Sequence, residues 1–289
     1  MGAKNSIVGT IGSVKADVKR AGQKAAFSPV MEALTRVGYG VRGLIYITMG
    51  LLAFNVVLGK GGAPADQQGA IAVIGKQPAG QLLLWLVLIG LVSYSLWGVI
   101  RAVLDPLHKG HDLKGLIERG GYLFSAASYA LLLPATYGFI SGAGSTAQTG
   151  AQTQQSMGSI MTMPWGPWAL GLIGLAVIAG GVHQILAGFN NSFNKQFQTY
   201  DMTARQVKWA TQLGRFGTAT RGLIFALVGG LMCLAAFQTN ASQGVGVDSV
   251  LATLLKQPYG IWLVGIVAVG LMAFGVYSIL SAVWFRSKR

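Results

Sequence analysis

Two arginines six residues apart, Arg36 and Arg42, stand in the stretch RVGYGVRGLIY at the threshold of a long apolar run. Guanidinium groups so placed can hold the headgroup of an anionic lipid or another anionic ligand, or simply anchor the chain by snorkelling to water and lipid phosphate. The same shape returns as RFGTATRGLIF, with Arg215 and Arg221, and in worn form as RGGYLFSAASY, where Arg119 is followed by Ser125 in place of a second arginine. Arg42 and Arg221 each precede an aromatic residue, Tyr46 or Phe225, by four positions, so stem and ring share one helix face. These five arginines are the candidate contacts for an anion, with anchoring as their simpler role.

Other chemistry is sparse. The three histidines are His108 and His111, beside Asp105 and Asp112 in a charged loop, and His183 in an apolar run. The loop spacing matches no metal-binding signature. His183 follows Pro164 at the offset by which Trp97 follows Pro78 and Tyr277 follows Pro258, which makes it an interfacial aromatic in the repeat's terms. Its sharper reading is an axial ligand to haem or chlorophyll, which needs a neutral imidazole nitrogen and a supporting partner. The one cysteine, Cys233, can build neither a disulfide framework nor a cysteine metal cluster within the chain. Every Asp and Glu lies outside the apolar runs, which disfavours a proton-coupled mechanism, and no catalytic set emerges.

The elements that carry these residues are membrane crossings. The chain is 52% hydrophobic and 10% charged, with a mean hydropathy of +0.53, and no Asp, Glu, Lys or Arg occurs between Arg119 and Lys195. Soluble domains carry about 25% charge. Six apolar runs, at 40–59, 80–101, 122–140, 165–188, 218–238 and 260–284, each approach the ~20 residues a bilayer requires. Backbone amides in hydrocarbon must bond within their own segment, so the runs should be helices, the third kinked near Pro134.

Charge sets their direction. Of the 22 lysines and arginines, only Lys60, Lys76 and Lys256 fall in the three alternate loops, so both termini should face the cytoplasm. The net charge of +14 then reflects membrane orientation, and nucleic acid is not an expected partner. Each alternate loop ends in a shared pattern, KQPAG at 76–80, TMPWG at 162–166 and KQPYG at 256–260, with proline suited to a first helical turn. Upstream, Ile71 and Ile74, Met157 and Ile160, and Leu251 and Leu254 keep the same offsets. Asp66 or Asp248 can cap a short helix there, its apolar side resting on the outer membrane surface.

These features together resemble a bacterial membrane family catalogued as domain of unknown function 1206. The resemblance rests on RVGYGVRGLIY, on ADQQGAIAVIGKQPAG leading into the crossing that ends SLWGVIRAVLDP, and on the weaker second and third copies. It implies three repeats of a transmembrane helix pair and no assigned activity. The middle copy departs from the pattern in lacking the second arginine and the Lys-Gln pair before proline.

The expected architecture is an all-α integral membrane protein of six transmembrane helices in three parallel hairpin repeats. A basic amphipathic N-terminal helix lies in residues 1–35, with Ile7, Ile11, Val14, Val18 and Ala21 on one face. Repeats follow at 36–106, 119–193 and 215–289, joined by cytoplasmic linkers 107–118 and 194–214. Two crossings per repeat give every copy the same orientation, arranged as a quasi-threefold bundle or a row. Small residues favour the bundle, its axis packed because the spans offer no charge to stabilise water. The setting is a bacterial cytoplasmic membrane, or a thylakoid membrane if the source is photosynthetic. Expected partners are the bilayer, anionic lipids at the cytoplasmic face and a larger membrane complex, with no cofactor. A non-enzymatic scaffold or accessory subunit is the leading role, a passive channel or small-solute transporter the next, and a haem- or pigment-binding subunit the third.

Overall fold

A computed structural model describes residues 29–105, 110, 112–143, 159, 161–190, 202–239 and 246–284. Residues 1–28 of the N-terminal arm, His108, His111, Met157, Ile160 and most of the middle loop lie outside the described residues, while 29–35 of the arm form the start of the first helix. The described chain forms α1 (Pro29–Val57), α2 (Gln67–Gly75), α3 (Gly80–Leu104), α4 (Leu113–Ala130), α5 (Leu133–Ser141), α6 (Gly166–Phe189), α7 (Ala204–Gln238), α8 (Val247–Leu255) and α9 (Gly260–Trp284). Six spans are long and apolar enough to cross a membrane: α1, α3, the α4–α5 pair, α6, α7 and α9. The all-helical, six-span expectation is met.

The third span is interrupted where the sequence suggested a kink. Pro134 sits in the first turn of α5, and its missing N–H leaves a break at Leu131 and Leu132. Opposite in character is α7, whose 35 residues reach about 52 Å at 1.5 Å per residue, well beyond a ~30 Å hydrocarbon layer. A reciprocal capping box between Thr203 and Gln206 starts it outside the apolar run.

The spans neighbour one another in the order α4/α5, α3, α1, α9, α7, α6. This is the sequence of a threefold ring opened at one place. Successive repeats meet at three interfaces, α9 on α1, α3 on α4 and α6 on α7, and the first and third repeats also pack internally. Among the described residues the two halves of the middle repeat, α4/α5 and α6, form no packed interface with each other. Neither a closed bundle nor a row of intact hairpins describes this order. The reason lies in where the backbones approach closely. A Cβ at Gly43 would stand 2.7 Å from the Gly275 carbonyl, one at Gly222 2.6 Å from the Gly181 carbonyl and one at Gly229 2.5 Å from the Gly174 carbonyl. Helix α6 thus spends its small residues on α7, outside its own repeat.

The three proline patterns form one kind of turn. Gly80, Gly166 and Gly260 donate their N–H groups to Gln77, Met163 and Gln257 at 2.8, 2.9 and 2.9 Å. The prolines occupy this turn, before the helices begin, and not the first helical turn expected from sequence. Asp66 caps α2, its Oδ1 accepting the Gly69 N–H at 2.8 Å, as expected. In α8 the cap position is Gly246, and Asp248 lies within the first turn.

The short helices also differ from expectation in what they rest on. Ile71, Ile74 and Leu251 are buried with Tyr46, Met49 and Leu84 in the main core, so α2 and α8 turn their apolar sides into the bundle and close its proline end. Burial inside the arc removes more apolar area from contact with polar surroundings than an interfacial seat would.

Candidate functional site

Three guanidinium groups lie inside the other half of the bundle. Arg42 of α1, Arg101 of α3 and Arg221 of α7 are 7%, 4% and 9% exposed. Arg42 donates through Nε to the Ser278 hydroxyl at 3.1 Å and through Nη1 to the Tyr94 hydroxyl at 2.8 Å. Arg221 donates through Nε to the Tyr46 hydroxyl at 2.8 Å and through Nη1 to Oε1 of Gln184 at 2.9 Å. Each contact joins different spans, so the cluster ties α9, α1, α3, α6 and α7 together.

Aromatic rings complete the surroundings. The Arg42 carbon Cζ stands 4.7 Å from the Tyr39 centroid, 5.2 Å from Tyr94 and 4.9 Å from Phe274. That of Arg221 stands 4.6 Å from Phe225 and 5.1 Å from Phe274. Arg101 lies 4.4 Å over Tyr122 and 5.6 Å from Trp97. Rings offer a cation their negative faces, worth about 0.5–2 kcal/mol each, but cancel no charge.

No described carboxylate pairs with any of these three arginines; their partners are hydroxyls, an amide oxygen and rings. Nη2 of Arg42 and Nη2 of Arg221 are left without a hydrogen bond among the described residues, and Nε of Arg101 and the Tyr129 hydroxyl are buried in the same condition. Uncompensated charge in an apolar interior is costly, and such groups are normally paired or hold a ligand. Chemically, these guanidinium edges are charged hydrogen-bond donors without a protein acceptor among the described residues, the type of group that an anion can engage.

The sequence placed these residues differently. Arg42 and Arg221, read as candidate interfacial contacts that snorkel, turn inward. The Arg221 and Phe225 pairing holds, whereas Tyr46 serves Arg221 and not Arg42. Arg36 stays on the surface in an ion pair with Glu32 at 2.8 Å. Arg119 donates to the Ala102, Val103 and Gly110 carbonyls at 2.7, 3.3 and 3.4 Å, closing the C-terminal end of α3. Arg215 is exposed on α7. His183 is exposed on α6, while its neighbour Gln184 faces the cluster; Trp97 and Tyr277, at the matching offset, are buried. The shared slot therefore does not share an environment.

Arg101 was the residue missed, since it reads as one more loop cation. Its spacing from Tyr94 and Trp97, seven and four residues, sets all three on one helix face and was the available signal. Gln67 was missed as well: its Nε2 donates to the Tyr46 hydroxyl at 3.1 Å, linking α2 to the Arg221 partner.

Fold and site together define a polytopic helical membrane protein of three repeats, two spans in each, around a cationic, aromatic interior. The chain belongs to the family described as Domain of Unknown Function (DUF1206), whose profile matches residues 37–105, 120–191 and 216–284. It is 31% identical over 261 residues to the Bacillus subtilis (strain 168) protein described as uncharacterized YxxB, covering 90% of this chain and 94% of that one. No solved structure matches.

Proposed function

We propose that this protein binds an anion within its membrane bundle, as a non-enzymatic carrier or ligand-holding protein of a bacterial cytoplasmic membrane with both termini in the cytoplasm. One observation carries the reading: three buried guanidiniums inside the spans with no carboxylate partner among the described residues. The expectation that the spans bear no charge is thereby replaced, and with it the main ground for preferring a pure scaffold. An open pore is the weaker neighbour, because Tyr46, Tyr129, Ile45 and Met49 fill the interior with almost no exposure. Haem or pigment at His183 gains no support from a ring on the outer side of α6.

A second reading, an accessory subunit of a larger complex, draws on the unpaired halves of the middle repeat, whose spans are among the least buried of the six. Gentle purification separates the two, since an obligate subunit emerges with a stoichiometric partner.

The anion reading is tested on purified protein in zwitterionic lipid nanodiscs, titrated with chloride, succinate and inorganic phosphate. Binding to the folded state raises the thermal midpoint as ligand exceeds its dissociation constant. At least one anion should do so, and Arg42→Met and Arg221→Met should abolish the rise. No stabilisation by any of the three would overturn the proposal.

A further inference from the structure

The repeat assigns places to two of the three cations. Arg42 and Arg221 each lie six residues after the leading arginine of their copy, Arg36 or Arg215. Each crosses to the preceding repeat in the ring and bonds the residue twenty beyond its proline, Ser278 after Pro258 and Gln184 after Pro164. In the third such interface, α3 on α4, the corresponding positions are Ser125 and Gly98, which carry no charge. Yet that interface is not left without a cation: Arg101 of α3 lies there over Tyr122 of α4, one turn from Gly98. The Gly98 position packs against Ala126, with an ideal Cβ 2.8 Å from the Ala126 Cβ, so α3 and α4 are close enough for a guanidinium from either helix to occupy the same interface.

We propose that Arg101 supplies, from the partner helix, the third cation that the middle repeat lacks at Ser125, and that the three guanidiniums form one site for a phosphate-type oxyanion. This rests on the anion reading above and names its ligand class. A carboxylate is planar and saturates a single guanidinium fork. A phosphate ester carries up to two charges and spreads acceptor oxygens over a tetrahedron, which suits donors arriving from α1, α3 and α7. Tyr94 connects the members, accepting from Arg42 at 2.8 Å and neighbouring Arg101. The free edges, Nη2 of Arg42 and Arg221 and Nε of Arg101, are the donors such a group would engage. The group can arrive as a soluble phosphate ester or as a lipid headgroup between α4/α5 and α6, which form no packed interface among the described residues.

The experiment compares inorganic phosphate, glycerol 3-phosphate and succinate on the full chain in phosphatidylcholine nanodiscs, and repeats the titration with phosphatidic acid in the bilayer. Phosphate-type ligands should bind at least tenfold tighter than succinate. Arg101→Leu should weaken them about tenfold to hundredfold, the range for losing a charged hydrogen-bond donor. The double change Arg101→Leu with Ser125→Arg should restore affinity by returning the cation to its repeat position. Should Arg101→Leu fail to fold, Arg101→Lys, which keeps the charge and loses the fork, should still bind more weakly than the native chain. Phosphatidic acid that displaces soluble phosphate identifies a lipid source; soluble binding untouched by it identifies a free one, and both support the chemistry. Native affinity in Arg101→Leu or Arg101→Lys, no rescue by Ser125→Arg in a folded double variant, or a preference for succinate would overturn the inference, while anion binding that depends on Arg42 and Arg221 would survive it.

Discussion

Arg42 and Arg221, 179 positions apart, share one ring: their Cζ atoms lie 4.9 and 5.1 Å from the centroid of Phe274. They are the same residue of two repeats, brought to the same side chain by the ring order of the spans. Sequence symmetry alone would separate them by a third of a turn. The packing of α9 against both α1 and α7 makes them neighbours, and neither has an acid beside it among the described residues.

That relationship predicts opposite signs with and without ligand. Removing a buried cation that lacks a counter-charge removes its desolvation penalty, and replacing buried ionic groups by apolar ones of similar volume is often neutral or stabilising by about 1–4 kcal/mol. Arg42→Met should therefore match or exceed the native chain in thermal midpoint when no anion is present. With saturating phosphate the order should reverse, because only the native chain gains binding energy. Scanning fluorimetry under both conditions checks it; a variant less stable in both would show the cluster to be structural.

The inter-repeat glycines predict a contrast between sequence neighbours. A Cβ at Gly229 meets the Gly174 carbonyl at 2.5 Å, whereas one at Gly230 meets nothing within 4 Å. Gly229→Ala should destabilise by about 1–3 kcal/mol through overpacking. Gly230→Ala should be neutral or stabilising by up to about 1 kcal/mol, since alanine favours the helix. The pair Gly181 and Gly180 repeats the test on α6, where the first is 2.6 Å from the Gly222 carbonyl and the second is open.

The spans and the shared pattern around the prolines were legible because each depends on local chemistry: apolar length, a proline, a repeated offset. The pairing of the middle repeat's two halves was not, nor was the face on which a span meets its neighbours. In a bilayer the lipid-facing side is as apolar as the buried one, so Leu82 and Leu84 look alike although one is exposed and the other buried. Arg42, Arg101 and Arg221 fall within three residues of the ends of the apolar runs 40–59, 80–101 and 218–238, where a guanidinium can reach either headgroups or core. Only the neighbouring helices decide, and their order depends on contacts between residues far apart in the chain, such as Gly43 with Gly275.

Asp66 predicts a dependence on pH at the proline end. Burial disfavours its anion and Asp248 repels it, so its carboxyl is held above the ordinary range although the Gly69 N–H works the other way. The folded protein thus binds this proton more tightly than the unfolded chain. Stability should be fully present below the ordinary carboxylate range and decline as pH rises through the raised value. Asp66→Asn preserves an N-cap and cannot titrate, so it should flatten this part of the profile. Thermal midpoints measured across the acidic range should show the native chain sloping downward and the variant less so; equal slopes would assign the dependence to another group.

The last prediction fixes which side of the membrane the arginine cluster faces. Lysines and arginines cluster at the end where α1 begins, α3 ends and α7 begins, and the three alternate loops hold only Lys60, Lys76 and Lys256. Retention of positive loops in the cytoplasm then places Arg42, Arg101 and Arg221 in the cytoplasmic half and the α2 and α8 closure outside. In a Cys233→Ser background, a cysteine at Gly62, which is exposed in the loop between α1 and α2, should react in intact cells with a membrane-impermeant maleimide. A cysteine at Ala204, exposed at the start of α7, should react only after the membrane is opened. Because the two positions lie at opposite ends of an odd number of spans, a correct orientation requires them to differ. Labelling of Ala204→Cys from outside with protection of Gly62→Cys would invert the protein and put the anion site within reach of the exterior; labelling of both would contradict the span count itself.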